Sequence, residues 1–237
     1  MKSRSAHAYV GAVLISIGAS LPCEGISADV PGDARPAHAA ADIRHYTISS
    51  QDSDIRFLVY RAGLLAALGH NHVIRAQTVH GSVFANPDFA LSSFVLTLPV
   101  GDFGVDARSD RAREGEDFAR QPSKSAVSGT RDHMLGSAVL DAAHYPEVSV
   151  RSVSIGGTRR NPVVHIRITL LGAEREMSVP ISLEASGVRL LVRGSFDIHQ
   201  SDFGIRPFAV FGGALKVKDT VTVRFLIVAK RAEDPRH

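Results

Sequence analysis

The sequence predicts an all-β chain folded as one antiparallel domain. Three observations predict it. Six runs alternate apolar and polar residues with a period of two, the mark of half-buried strands. Clusters of Gly, Asn, Ser and Pro (Gly156-Gly157, Asn161-Pro162, Ser186-Gly187) divide the runs at spacings that suit hairpins rather than βαβ units. No linker or internal repeat separates the strands, and no apolar run reaches the ~18 residues of a spanning helix.

Taken in order, the first element is an address. Lys2 and Arg4 precede an apolar stretch from Val10 to Leu21, Pro22 ends it, and Ile26-Ser27-Ala28 offers a small residue at a cleavage point. This pattern reads as a secretory signal peptide over 1–28. Residues 29–44, rich at first in Ala, Pro and Gly, read as a flexible lead-in. The β domain is expected over 45–231, with a tail at 232–237.

Within the domain, Ile55, Phe57 and Val59 alternate with Asp54, Arg56 and Leu58. Ala62–Leu68 has helical spacing, with Leu64, Leu65 and Leu68 set to pack across a barrel end or to act as a lid. Phe94, Leu96 and Leu98 share a face. The interval from Asp106 to Tyr145 breaks the alternation. Its charged first part, Arg108–Ser125, reads as a solvated mobile loop, and Ala126–Ala143 has room for one or two short helices. Alternation then resumes in Val164, Ile166, Ile168 and Leu170, and in Met177, Val179, Ile181 and Leu183. Leu190, Val192 and Phe196 share a face with Gly194, opposite Arg189, Arg193 and Asp197. Val221, Val223, Phe225 and Ile227 form the last apolar set, against Thr220, Thr222 and Arg224.

Six or more such strands must hide one face, either as two packed sheets or as a closed barrel. The inward sets are Val, Ile, Leu and Phe, so a barrel wide enough to leave a bore would offer an apolar one. The expected ligand contacts are Phe57 and Val59; Phe94 and Leu96; Val164, Ile166 and Ile168; Val179 and Ile181; Leu190 and Val192; and Val223 and Phe225. Phe203, Phe208 and Phe211, beside Gly212-Gly213, form either an apolar cap over the bore or a minor core under a long loop.

Charge and composition narrow the function. The chain carries 27 Lys+Arg against 24 Asp+Glu, a net charge of +3, with the basic residues scattered, so a nucleic-acid partner is not expected. The single cysteine, Cys23, lies within the leader and excludes a disulfide framework. No G-x-S-x-G elbow, paired carboxylates or other catalytic constellation is present. The sharpest polar feature is His70 and His72. Two residues apart on a strand, they would share a face and could hold a metal with His133 or His199. The structural alternative is that they fix a loop beside Gly69 by hydrogen bonds. The structural reading is favoured, with neither metal nor cofactor expected. A His-dependent metal protein or enzyme is the competing function.

Three stretches carry a resemblance: Leu68-Gly69-His70-Asn71-His72-Val73-Ile74 leading to Gly81-Ser82-Val83; Arg131-Asp132-His133-Met134-Leu135 followed by Leu140-Asp141 and Tyr145-Pro146-Glu147-Val148; and Gly194-Ser195-Phe196, Gln200-Ser201-Asp202-Phe203-Gly204-Ile205-Arg206-Pro207 and Val217-Lys218-Asp219-Thr220-Val221. In this order, over about Tyr46 to Lys230, the chain resembles the YceI-like family of bacterial exported lipid-binding proteins. It departs at Leu171-Gly172, where the family often has His-Gly, near Val150, and over Arg108–Ser125. The resemblance implies a lipocalin-like barrel of about eight strands with one or two short helices. It also implies a periplasmic location and a long isoprenoid-type lipid, polyisoprenoid or quinone-like, in the bore. No catalysis and no stable membrane insertion are implied, and a homodimer is compatible with it.

Overall fold

The sheet closes because the last strand is long enough to serve two neighbours on one edge. The computed structural model describes residues 43–232, within one compact unit; the leader, nearly all of the lead-in and most of the tail lie outside the described residues. The strands are β1 (Arg44–Ile48), β2 (Asp54–Ala62), β3 (His72–Ala76), β4 (His80–Ala85), β5 (Ser93–Pro99), β6 (Phe103–Val105), β7 (Glu147–Gly157), β8 (Pro162–Leu170), β9 (Ala173–Ala185), β10 (Arg189–His199), β11 (Ala209–Val210) and β12 (Leu215–Arg231). Along one edge of β12, Ile48 of β1 lies opposite Ala229 and Asp54 of β2 opposite Leu226, so β1 and β2 are one barrel strand interrupted at 49–53. The neighbours repeat this. β4 pairs with β1 and β3 with β2; β5 pairs with β4 and β6 with β3. Counting each interrupted pair once, eight antiparallel positions follow in chain order and close through β12, which pairs with β10 on its other edge.

The interruptions would leave buried backbone groups unpaired, and serines stitch them. Ser53, 4% exposed, accepts from the Val228 N–H (3.0 Å) and donates to the Ser49 carbonyl (2.7 Å). Ser50 Oγ accepts from the Val79 N–H (3.0 Å). Elsewhere the alternation is regular. In β8 every second residue from Pro162 to Leu170 is buried and the others are half-exposed. β8 turns into β9 through Leu171-Gly172 alone, both with positive φ (53° and 73°), the geometry of a two-residue hairpin.

Two expectations fail in the connections. Ala62–Leu68 makes only a short 3₁₀ turn, Ala66–Leu68; Leu64 and Leu68 point outward at 95% and 68% exposure, so they neither pack across the barrel end nor cover it. Arg108–Ser125 is not a solvated loop. It forms α1 (Arg108–Arg111) and a 3₁₀ turn at Glu116–Phe118, then leads into α2 (Lys124–Leu135). The reason is Leu58. It faces outward from β2 yet is fully buried, together with Val73 of β3, because Phe118 and Tyr60 cover them in a small second core. Three of the segment's charged residues, Asp110, Arg113 and Glu114, lie against charges of the barrel wall. Glu114, its side chain fully buried, accepts from Arg56 and Arg224, and Arg113 reaches Asp54 at 3.2 Å. Residues 106–121 are therefore a strap laid over the outside of β2 and β3.

Candidate functional site

Inside the barrel is a cavity of about 710 Å³, within the ~300–1,000 Å³ typical of small-ligand sites. Phe57 and Val59, Phe94 and Leu96, Val164, Ile166 and Ile168 all line it. So do Val179 and Ile181, Leu190 and Val192, and Val223 and Phe225. Medium-sized side chains on most strands leave the centre unfilled. Gly194 supplies depth at one place: it faces inward, and the Phe225 ring lies where a Cβ would sit, with ring carbon Cζ only 2.5 Å from that position. Phe196 meets the same ring edge-on, with centroids 6.1 Å apart.

The aromatic trio divides. Phe203 is buried (3% exposed) in the core at the α2 end of the barrel but does not line the cavity. Phe208 and Phe211 are 40% and 76% exposed, and the structure does not bring them over the bore. Phe211 sits at positive φ in the turn after β11, which aims it outward. That end is instead covered by Met134 of α2, by Val139 and Leu140 after it, and by Ile205 after the Gln200–Phe203 turn.

Sequence reasoning missed two groups of lining residues. One comes from the interrupted strands: Tyr46, Ile48, Ile74 and Val83 point inward, but strands of five or six residues give too few periods to read. The other is polar. Arg44, Asn86, Ser92, Arg159 and Ser186 line the cavity only at the end opposite α2, where the β4–β5, β7–β8 and β9–β10 turns meet. The bore is thus apolar along its length, with a polar rim at that end and Gln200 at the other.

The histidines lie outside the bore. His70 precedes β3, so the pair does not share a strand face; the rings are 6.4 Å apart. His72 Nδ1 donates to Asp106 Oδ2 at 2.7 Å. His133 contacts Phe208 and His199 lies near Asp219, so neither joins the pair, and among the described residues no cluster of three metal-ligating side chains occurs. The motif fastens the strap. Asn71 accepts from the Arg61 N–H (3.0 Å) and donates to the Asp117 carbonyl (3.0 Å), while Arg111, 2% exposed, donates to the Asn71 carbonyl (2.7 Å) and to Asp106 (2.5 Å). Burial by itself would push the Asp106 carboxyl up, but bonds from His72, the Val73 N–H and Arg111 outweigh it and hold Asp106 below the ordinary carboxylate value. Burial, with Arg120 nearby, pushes His70 down.

A closed eight-position meander around an unfilled apolar bore places the molecule among the lipocalin-like barrels. The sequence gives the family: residues 46–229 match the YceI-like domain, and the chain belongs to the YceI-like family. Solved structures share the fold. BcnA of Burkholderia cenocepacia aligns at 18% identity with a TM-score of 0.58, over 77% of this chain and 99% of that one. A polyisoprenoid binding domain from Saccharophagus degradans, implicated in plant cell wall breakdown, aligns at 12% identity with a TM-score of 0.52, over 79% and 98%. No curated protein matches the sequence. Among the described residues no helix is long and apolar enough to cross a membrane.

Proposed function

We propose that this protein is an exported, periplasmic carrier or store for a long isoprenoid-type lipid, polyisoprenoid or quinone-like, held in the bore without catalysis. The observation that carries the reading is the 710 Å³ cavity, apolar along its length, with its polar lining gathered at one rim apart from Gln200 at the other end. Each CH₂ buried there gains ~0.8 kcal/mol, so a long tail needs few polar contacts to bind tightly. The membership of a polyisoprenoid binding domain among the structural neighbours supports the same ligand class. Export rests on the leader at 1–28, whose cleavage would leave Asp29 first.

The test is organic extraction of protein purified natively from its own periplasmic fraction, followed by mass spectrometry. A stoichiometric isoprenoid lipid is the expected result. A bore that yields no lipid, or stoichiometric zinc that is lost when His70 and His72 are both replaced by Ala, would overturn the reading.

A further inference from the structure

The open end of the bore carries a surface that lipid binding inside the barrel does not use. The turns 86–92, 158–161 and 186–188 meet there, beside the start of β1 and the end of β12. They are tied together: Arg159 donates to the Pro87 carbonyl (2.8 Å) and lies over the Phe89 ring, and the Arg231 N–H donates to the Val188 carbonyl (2.8 Å). Two of these turns, 86–92 and 186–188, expose an aliphatic residue where turn residues are ordinarily polar. Leu91 is 67% exposed, Val188 69%, and Ile43 beside them 54%.

The charge at this end is predominantly positive. Arg159, Arg160, Arg189 and Arg231 are all exposed, and among the described residues none has an acidic side chain within ion-pair distance. The acidic groups close by are engaged: Asp88 caps its own turn at the Ala90 N–H, Asp52, near Arg189, pairs with Lys230, and Glu184 pairs with Arg193 on the outer wall. Exposed aliphatic tips ringed by arginines match a bilayer surface with anionic headgroups. The tips enter the acyl boundary while the guanidinium groups stay at headgroup level.

We infer that the open rim of the barrel docks on an anionic lipid bilayer, mouth first, so that a lipid tail passes between membrane and bore without crossing water. The inference rests on the carrier reading for its purpose. The opposite end also exposes apolar residues, Leu64 and Phe211 among them, but the cavity does not reach them; they serve as the control.

The test is flotation with vesicles of phosphatidylcholine containing about one-third phosphatidylglycerol, against phosphatidylcholine alone. Every protein compared carries the same N-terminus, so residues before Ile43 contribute equally. Wild type should float with anionic vesicles only, less so at high salt. Leu91→Ser with Val188→Ser, and separately Arg160→Ser with Arg189→Ser and Arg231→Ser, should weaken association about tenfold or more. Leu64→Ser with Phe211→Ser should not. Unchanged melting temperature and unchanged extractable lipid show that the rim variants fold and keep a working bore. Flotation reads docking and extraction reads the carrier function, so failure of one is distinguishable from failure of the other. No association with anionic vesicles, or loss of it only in the Leu64/Phe211 variant, would overturn the inference. So would a dimer in solution that the Leu91/Val188 variant breaks, which would make the rim an interface between two copies.

Discussion

Asp106 joins three groups that would otherwise be unpaired: the His72 ring, the Val73 N–H and the Arg111 guanidinium. It sits at positive φ (54°), a backbone that Asp tolerates better than most residues. Asp106→Asn leaves Arg111 buried without its counter-charge and should cost ~3 kcal/mol, read as a lower denaturation midpoint. The pH dependence has a definite sign. The carboxyl is held below its unfolded value of about 3.9, so its stabilisation is complete above that pH and is lost as pH falls through the folded value. Wild type should lose more stability than Asp106→Asn as denaturation is followed from pH 6 down to about pH 3. Gly194 gives the complementary test inside the barrel. In Gly194→Ala the new methyl must displace the Phe225 ring, and the cavity is the space that can take it. The variant should stay folded, at a loss of ~1–3 kcal/mol, with less lipid extracted per protein.

At the scale of elements, the strap is the unexpected part. Its dense charge looks like a segment made for water, but Arg113 and Glu114 pair with Asp54, Arg56 and Arg224 of the wall, and Phe118 faces Leu58 and Val73. Phe118→Ala should destabilise by ~3–5 kcal/mol, because it opens a cavity over two fully buried residues. Hydrogen exchange should show the gain in exchange first at the amides of Arg111–Ala119, whose bonds close turns within the strap. If exchange rises equally in β8 and β9, the strap is not a separately opening unit. The three interrupted strands beneath it are the second device. Breaking them at neighbouring levels lets the wall bend while Ser50 and Ser53 satisfy the backbone at the break.

For the whole molecule, the question is whether the bore holds a ligand or merely lacks one. Ile166 is 5% exposed and lines the cavity. Ile166→Phe fills volume without adding charge, so it should expel lipid while the circular-dichroism spectrum stays native. A folded Ile166→Phe protein with its full lipid load would place the ligand elsewhere. Ile181→Asp puts a carboxylate in the same apolar space and should abolish lipid retention or unfold the barrel. Arg167→Asp, on the outer face where Arg167 pairs with Glu176, should leave lipid content unchanged. Processing belongs to this scale too: N-terminal sequencing of protein from the periplasmic fraction should begin near Asp29, and an intact Met1 on a membrane-bound form would contradict export.

The sequence by itself determined the class of the fold and the inner face of its long strands. β8, β9, β10 and β12 are nine or more residues long, enough for the period of two to show, and the inward sets so read line the cavity except for Met177. The ordered motifs from Leu68 to Val221 carried the family. Where the signal was short or ambiguous, tertiary structure decided. Three breaks in β1–β6 leave β1, β3, β4 and β6 too brief to show a face. The strap was illegible because charge alone does not say whether its partner is water or another charge; the one clue was Leu58, apolar in an outward phase. Phe208 and Phe211 shared a composition with a cap, but the turn after β11 points them to solvent. The polar rim could be found only by closing the barrel, because Arg44, Asn86, Arg159 and Ser186 are far apart in the chain and meet only when β12 joins both ends of the meander.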